Sequence, residues 1–194
     1  MTCIVGLIDK GITYLGGDSL ASSSYDGNTI LQKKVFKLRN VKNAILGFSG
    51  SVRDLNILQY AENLIDSRDE PNIDEKYLVT KFIPNVISLF NTNGRNKIDK
   101  GINDNESYFL LGYEDKLWKI DFNYAVSSIN INYNAIGCGT DYALGSMYST
   151  EILDLSPIER IYKALQSASK FSVRCAAPYY IINTKNDEII EYEK

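Results

Sequence analysis

Two apolar runs separated by Asp9-Lys10-Gly11 open the chain, and no later stretch restricts its fold as much. Ile4, Val5, Leu7 and Ile8 precede the tripeptide, and Ile12, Tyr14 and Leu15 follow it. Apolar runs of this length joined by a turn with glycine in it predict a β-hairpin. Such a hairpin carries the beginning of the chain to the end of the second strand, where Asp18 stands after Gly16-Gly17. Thr2 lies directly behind the initiator methionine. Removing Met1 would leave Thr2 with a free α-amine and a side-chain hydroxyl on adjacent carbons, a weak nucleophile with its own base.

A second constraint is an absence, since the 194 residues include no histidine. That excludes Ser-His-Asp and Cys-His catalysis within one subunit, and most catalytic zinc sites. The three cysteines, Cys3, Cys138 and Cys175, are odd in number and form no Cys-x-x-Cys. This fits a reducing compartment rather than a disulfide framework or a metal site. A net charge of −3 and no basic run longer than Lys33-Lys34 argue against a nucleic-acid partner. The opening apolar run has no basic segment before it and breaks at Asp9, so we read neither a signal peptide nor a membrane span. No cofactor is expected.

After the hairpin, 19–29 reads as a surface loop, and strands are expected over 34–38 and 44–48 about a turn at Asn40–Asn43. Ser49-Gly50-Ser51 then caps a helix over 52–67 with apolar residues at Leu55, Leu58, Ala61 and Ile65. A polar linker over 69–72 leads to a second helix over 74–90, in which Pro84 predicts a kink. The stretch 91–105 reads as a loop, followed by strands near 107–113, 117–121 and 125–131. Ala135-Ile136 enters the turn Gly137-Cys138-Gly139, with helices over 140–152 and from Ser156-Pro157 to about Phe171. Strands at 178–182 and 188–192 close the chain. This order suggests one α+β domain over 1–194, two stacked sheets with helices outside both.

Within that order three residues make a coherent site. A buried Lys34 beside Thr2 would lower the amine's pKa and stabilise a threonine alkoxide, and Asp18 would orient and neutralise the lysine. Backbone N–H groups at Gly47 or Gly50 would suit an oxyanion hole, worth roughly 3–4 kcal/mol per donor. Cys3 should point away from Thr2 and serve packing.

Thr2-Cys3-Ile4-Val5-Gly6, Gly17-Asp18, Lys33-Lys34-Val35, Leu46-Gly47-Phe48-Ser49-Gly50 and Ile136-Gly137-Cys138-Gly139 together resemble, in order and spacing, the proteasome β-subunit family. The likeness is nearest to its bacterial branch, the peptidase subunit of the two-component ATP-dependent protease, and to small proteasome-like proteins of bacteria and phages. It implies an N-terminal nucleophile hydrolase with an αββα four-layer sandwich. By this resemblance Thr2 is the nucleophile, Asp18 and Lys34 are the charged pair, and Gly47 is the oxyanion donor. Cys138 stands where the family usually has a serine near the amine. Ser172 is the nearest match to the Asp and Ser residues the family carries after its last long helix, and 170–175 has no Asp. The resemblance further implies a homo-oligomeric ring in the cytoplasm of a bacterium or phage-infected cell, peptide or unfolded-protein substrates, and an ATP-dependent unfoldase as a partner. No propeptide is expected before Thr2. Two other readings remain open: a catalytically lapsed scaffold or interaction protein, and a Cys3 nucleophile as in the glutamine amidotransferase branch.

Overall fold

The computed structural model describes residues 2–22, 29–95, 97–99, 102–104, 107–128 and 130–193. The expected hairpin forms from β1 (Cys3–Asp9) and β2 (Ile12–Asp18), in register from Ile4 opposite Gly17 to Asp9 opposite Ile12. Lys10 and Gly11 both take positive φ, 46° and 78°, which is the turn geometry that matches the twist of paired strands.

The next strands are β3 (Leu20–Ser22), β4 (Thr29–Leu31), β5 (Val35–Lys37) and β6 (Ala44–Ser49). β3 and β4 pair within and beyond the stretch expected to be a loop, since the Asp18 carboxylate accepts from the Leu20 backbone and starts a new strand. The first helix, α1 (Val52–Tyr60), is shorter than its apolar spacing suggested. The chain leaves the helix at Ala61 and buries Leu64 and Ile65 under later residues, with the Leu64 carbonyl accepting from Asn85. Ser51 sits at the N-cap without a side-chain capping bond, and 67–72 is a 3₁₀ turn rather than a plain linker.

The second helical stretch runs from α2 (Glu75–Tyr77) through a π-helical segment, Leu78–Phe82, into α3 (Ile83–Thr92). The widened π turn comes immediately before Pro84, which has no N–H to give the helical ladder. Two short paired strands, β7 (Lys97–Asp99) and β8 (Ile102–Asp104), replace the loop expected over 91–105. The remainder is β9 (Tyr108–Tyr113), β10 (Lys116–Ile120), β11 (Val126–Ser128), β12 (Tyr133–Gly137), α4 (Thr140–Ser149), α5 (Pro157–Phe171), β13 (Tyr179–Asn183) and β14 (Ile190–Tyr192). A full capping box between Ser156 and Glu159 starts α5, with Pro157 in its first turn.

Two five-stranded sheets result, ordered β12-β1-β2-β13-β14 and β11-β10-β9-β6-β5. Strand alternation divides the apolar side chains among three cores. Ile4, Leu15, Ile136 and Ile182 from one sheet meet Val35, Ile45, Leu110 and Leu117 from the other. Cys3, Val5 and Leu7, on the opposite face of β1, pack with Ala143, Met147, Ile161 and Leu165 of α4 and α5. Leu46, Phe48, Phe109 and Leu111 pack with Leu55, Leu58, Val86 and Phe90 of α1 and α3. Each such fully buried aliphatic or aromatic side chain contributes about 1.5–3 kcal/mol of transfer free energy. Because both faces of β1 are covered, its sequence is a near-continuous apolar run, and the direction of Cys3 into the α4–α5 core agrees with its expected packing role.

Candidate active site

The beginning of β1, the end of β2 and the residues before β5 converge on the Asp18 carboxylate. Asp18 is fully buried, and its Oδ1 accepts from the Cys3 backbone N–H at 2.8 Å and from Lys34 Nζ at 3.2 Å. Its Oδ2 accepts from the backbone N–H groups of Leu20 and Ala176, both at 3.2 Å. Lys34 is 4% exposed, far from the solvent-facing lysine that Lys33-Lys34 alone could equally describe, and also donates to the Leu20 carbonyl at 2.5 Å. Burial pushes the Asp18 carboxyl up, opposed by Lys34 and the Cys3 and Ala176 N–H donors. Burial also draws the Lys34 ammonium down, opposed by Asp18. A lysine lowered in this way is a cation more willing to exchange a proton than a solvated one.

Thr2 itself is buried, 1% exposed, one residue from this ion pair. Gly139 N–H donates to the Thr2 carbonyl at 3.3 Å, and Cys138 Sγ accepts from the Thr2 N–H at 3.3 Å. The Cys138 sulfur therefore lies against Thr2 from the strand-to-helix turn. Ser172, just past α5, accepts from the Arg174 N–H through its hydroxyl at 3.3 Å and from the Cys175 N–H through its carbonyl, in the turn that carries Cys175. Cys175, which no sequence motif singles out, has its Sγ 3.8 Å from that of Cys138. The Cys138 thiol is held well below the ordinary range, first by the bond to Cys175 and then by the Thr2 N–H and the Ser172 hydroxyl, against burial. A lowered pKa keeps thiolate present as pH falls. Iodoacetamide should thus alkylate Cys138 at a rate nearly constant from about pH 8 to about pH 6, where an ordinary thiol slows about tenfold per unit. A tenfold fall per unit would show that the sulfur is an ordinary thiol.

Gly137 makes the approach of this turn to Thr2 possible. Its φ is +96°, and a Cβ there would lie 2.2 Å from the Thr2 carbonyl oxygen. Gly11 also has positive φ but nothing within 4 Å of a Cβ. Gly11→Ala should cost only the backbone term, about 1–2 kcal/mol. Gly137→Ala should cost clearly more, upward of about 3 kcal/mol with the clash included. Urea midpoints compare the two, and equal losses would mean that the close approach carries no energy.

Gly47 requires a correction. It stands in the middle of β6 with Val35 and Leu110 as ladder partners on either side, and a Cβ would meet Ile4 Cγ2 at 2.5 Å. Its small size lets the two sheets approach, and its backbone faces neighbouring strands instead of a cleft. Gly50, beyond the strand end, lines a cleft of about 390 Å³ together with Ser49, Tyr108, Lys119, Gly137 and Cys138. Lys119 pairs with Asp121 at 2.8 Å at this cleft. Among the described residues no group of three or more metal-ligating side chains is assembled, and no helix is long and apolar enough to cross a membrane.

No protein-family model and no curated protein sequence matches the chain. Solved structures do. BPH from Thiobacillus denitrificans superposes with a TM-score of 0.71 at 15% identity, over 94% of this chain and 97% of that one. The chain has the proteasome-like fold. Eukaryotic HslV from Trypanosoma brucei gives a TM-score of 0.66 at 15% identity over 94% and 98% of the two chains. Anbu, the ancestral beta-subunit, from Yersinia bercovieri gives 0.69 at 11% identity over 98% and 86%. BPH has also been solved in complex with Epoxomicin, in a structure matching this chain at a TM-score of 0.70. The proteasome-like fold thus extends over nearly all of the chain, as the family resemblance implied.

Proposed function

We propose that this chain is a threonine-type peptidase subunit that hydrolyses amide bonds once Met1 is removed. The observation that carries this reading is the single carboxylate oxygen, Asp18 Oδ1, shared by the Cys3 backbone and Lys34 Nζ. It ties the residue after Thr2 to a buried cation in a protein with no histidine. Thr2 Oγ1 attacks the carbonyl carbon of the scissile bond, and the freed α-amine takes its proton and later passes it to the leaving amine. Lys34 favours the alkoxide and keeps the amine neutral near physiological pH, while Asp18 holds Lys34. The backbone N–H at Gly50, rather than at Gly47, receives the oxyanion, because Gly50 is the glycine at the cleft. Cys138 and Ser172 orient the amine. No cofactor or metal enters the reaction.

The same reading takes 1–194 as one αββα domain, with the three cores described above separating four layers. The exposed apolar side chains Tyr148, Ile152, Phe171 and Val173 around the ends of α4 and α5 support homo-oligomeric assembly, here a ring in the cytoplasm enclosing peptide or unfolded-protein substrates. An ATP-dependent unfoldase would feed such a ring. One observation favours the alternative of a lapsed scaffold: Thr2 is buried and its hydroxyl-bearing neighbour in the family pattern is replaced by a thiol, Cys138. Intact mass separates the two. A purified chain lacking Met1 that gains the mass of one Epoxomicin, the compound bound by BPH, supports the peptidase. A chain that keeps Met1 and takes up none supports the scaffold.

A further inference from the structure

Cys138 and Cys175 form an arrangement that amide hydrolysis leaves unexplained. They are 37 residues apart in sequence, yet their sulfur atoms stand 3.8 Å apart. A disulfide needs about 2.05 Å, so closure asks for a movement of roughly 2 Å shared between two side chains. Both lie in turns instead of regular elements: Cys138 between β12 and α4, Cys175 in the turn closed by its own N–H on the Ser172 carbonyl. Turns of this kind can yield where a strand or helix would resist.

The two thiols differ in the way a two-step oxidation requires. Cys138 is exposed and lines the cleft, so a small oxidant reaches it directly. The Thr2 N–H donates to its sulfur at 3.3 Å, which favours the thiolate, and in the thiol form the S–H donates back to the Thr2 carbonyl at 3.3 Å. Cys175 is buried, 3% exposed, immediately behind Cys138, shielded from oxidant but in position to attack the first product. Cys3, the remaining cysteine, is fully buried in the α4–α5 core, where burial pushes its thiol up and keeps it unreactive.

We propose that Cys138 and Cys175 are a hydroperoxide-reactive dithiol whose disulfide withdraws the Cys138 sulfur from the Thr2 nitrogen. In the first step the Cys138 thiolate attacks one peroxide oxygen. An S–O bond forms, the O–O bond breaks, and the hydroxide that leaves takes up the proton the Cys138 thiol released to solvent on ionising and becomes water. In the second step the Cys175 sulfur attacks the sulfenic acid at Cys138. An S–S bond forms, the S–O bond breaks, and the departing hydroxide takes the Cys175 proton to become water. Two thiols lose two electrons in all, and one hydrogen peroxide becomes two waters. A dithiol reductant reverses the change by thiol–disulfide exchange. Transient disulfides of this kind are the form expected in a reducing compartment. In the oxidised chain the sulfur that stands 3.3 Å from Thr2 N is drawn toward Cys175, and the Thr2 nitrogen loses that acceptor.

The test uses the full chain and hydrogen peroxide in small molar excess, followed by intact mass and peptide mapping. The wild-type protein should lose two hydrogen masses, give a Cys138–Cys175 cross-linked peptide pair, and return to its starting mass with dithiothreitol. Cys175→Ser should stop at a sulfenic acid on Cys138 that dimedone traps, and Cys138→Ser should stay reduced at the same dose. A cross-link through Cys3, over-oxidation of Cys138 with Cys175 still free, or oxidation of Cys138→Ser at the wild-type rate would each overturn the proposal. The wild-type mapping needs no variant to fold. It also needs no hydrolysis, so the dithiol and the peptidase reading stand or fall separately.

Discussion

Replacing Thr2 by Ala should abolish amide hydrolysis by the Met1-free chain, with turnover falling by at least about 10⁴-fold. The loss comes from removing the atom that forms the bond to the carbonyl carbon. Residual rate would be whatever the cleft and its backbone donors supply without a nucleophile. Thr2→Ser is the control, because it keeps a hydroxyl beside the amine and still presents a small residue behind Met1. It should retain a measurable rate. Since Thr2 is buried and its carbonyl and N–H are engaged by Gly139 and Cys138, a side-chain change of this size leaves the turn contacts in place. Peptide turnover measured on both variants decides the matter: Thr2→Ala activity within tenfold of wild type removes Thr2 from the mechanism.

The second large effect concerns stability. Asp18→Asn should cost about 3–5 kcal/mol, because it takes away the carboxylate that Lys34 Nζ meets at 3.2 Å while leaving the ammonium 4% exposed. Asparagine also turns an NH₂ group toward at least one of the donors now satisfied by the two carboxylate oxygens, namely the N–H groups of Cys3, Leu20 and Ala176. Much of the loss should return in the double variant Asp18→Asn with Lys34→Met, which removes the buried charge altogether. Urea unfolding of the two single variants and the double gives the coupling directly. A loss below about 1 kcal/mol in Asp18→Asn would mean that water or another group screens the pair. Lys34→Met alone should also stop catalysis if the cation is what lowers the Thr2 amine.

Much of the frame could be read in one dimension because its causes are local. The first hairpin follows from two apolar runs about a turn whose residues accept positive φ, and α5 follows from a Ser156–Glu159 capping box, Pro157 and an apolar stripe through Ile161, Ala164, Leu165 and Ala168. The end of α1 is different. Its apolar spacing continues to Ile65, but the burial of Leu64 and Ile65, with Asn85 donating to the Leu64 carbonyl, competes with helix propagation and wins at Ala61. The two ribbons, β3–β4 and β7–β8, likewise arise inside polar stretches whose composition indicates loops.

For the site, the sequence by itself determined the hairpin that brings Thr2 and Asp18 to one end of the sheet and the absence of histidine, and the family resemblance singled out Lys34 as their expected partner. Tertiary structure alone decided which glycine meets the cleft, because Gly47 and Gly50 are chemically identical in sequence and differ only in whether a strand lies on each side. It also decided that Ala176 closes the shell of donors around Asp18 and that Cys175 faces Cys138. Those contacts join turns more than 30 residues apart, and no periodicity or local propensity encodes them. They exist because β12 pairs beside β1 while α4 and α5 pack over that sheet, which carries their connecting turns to the same end of the molecule.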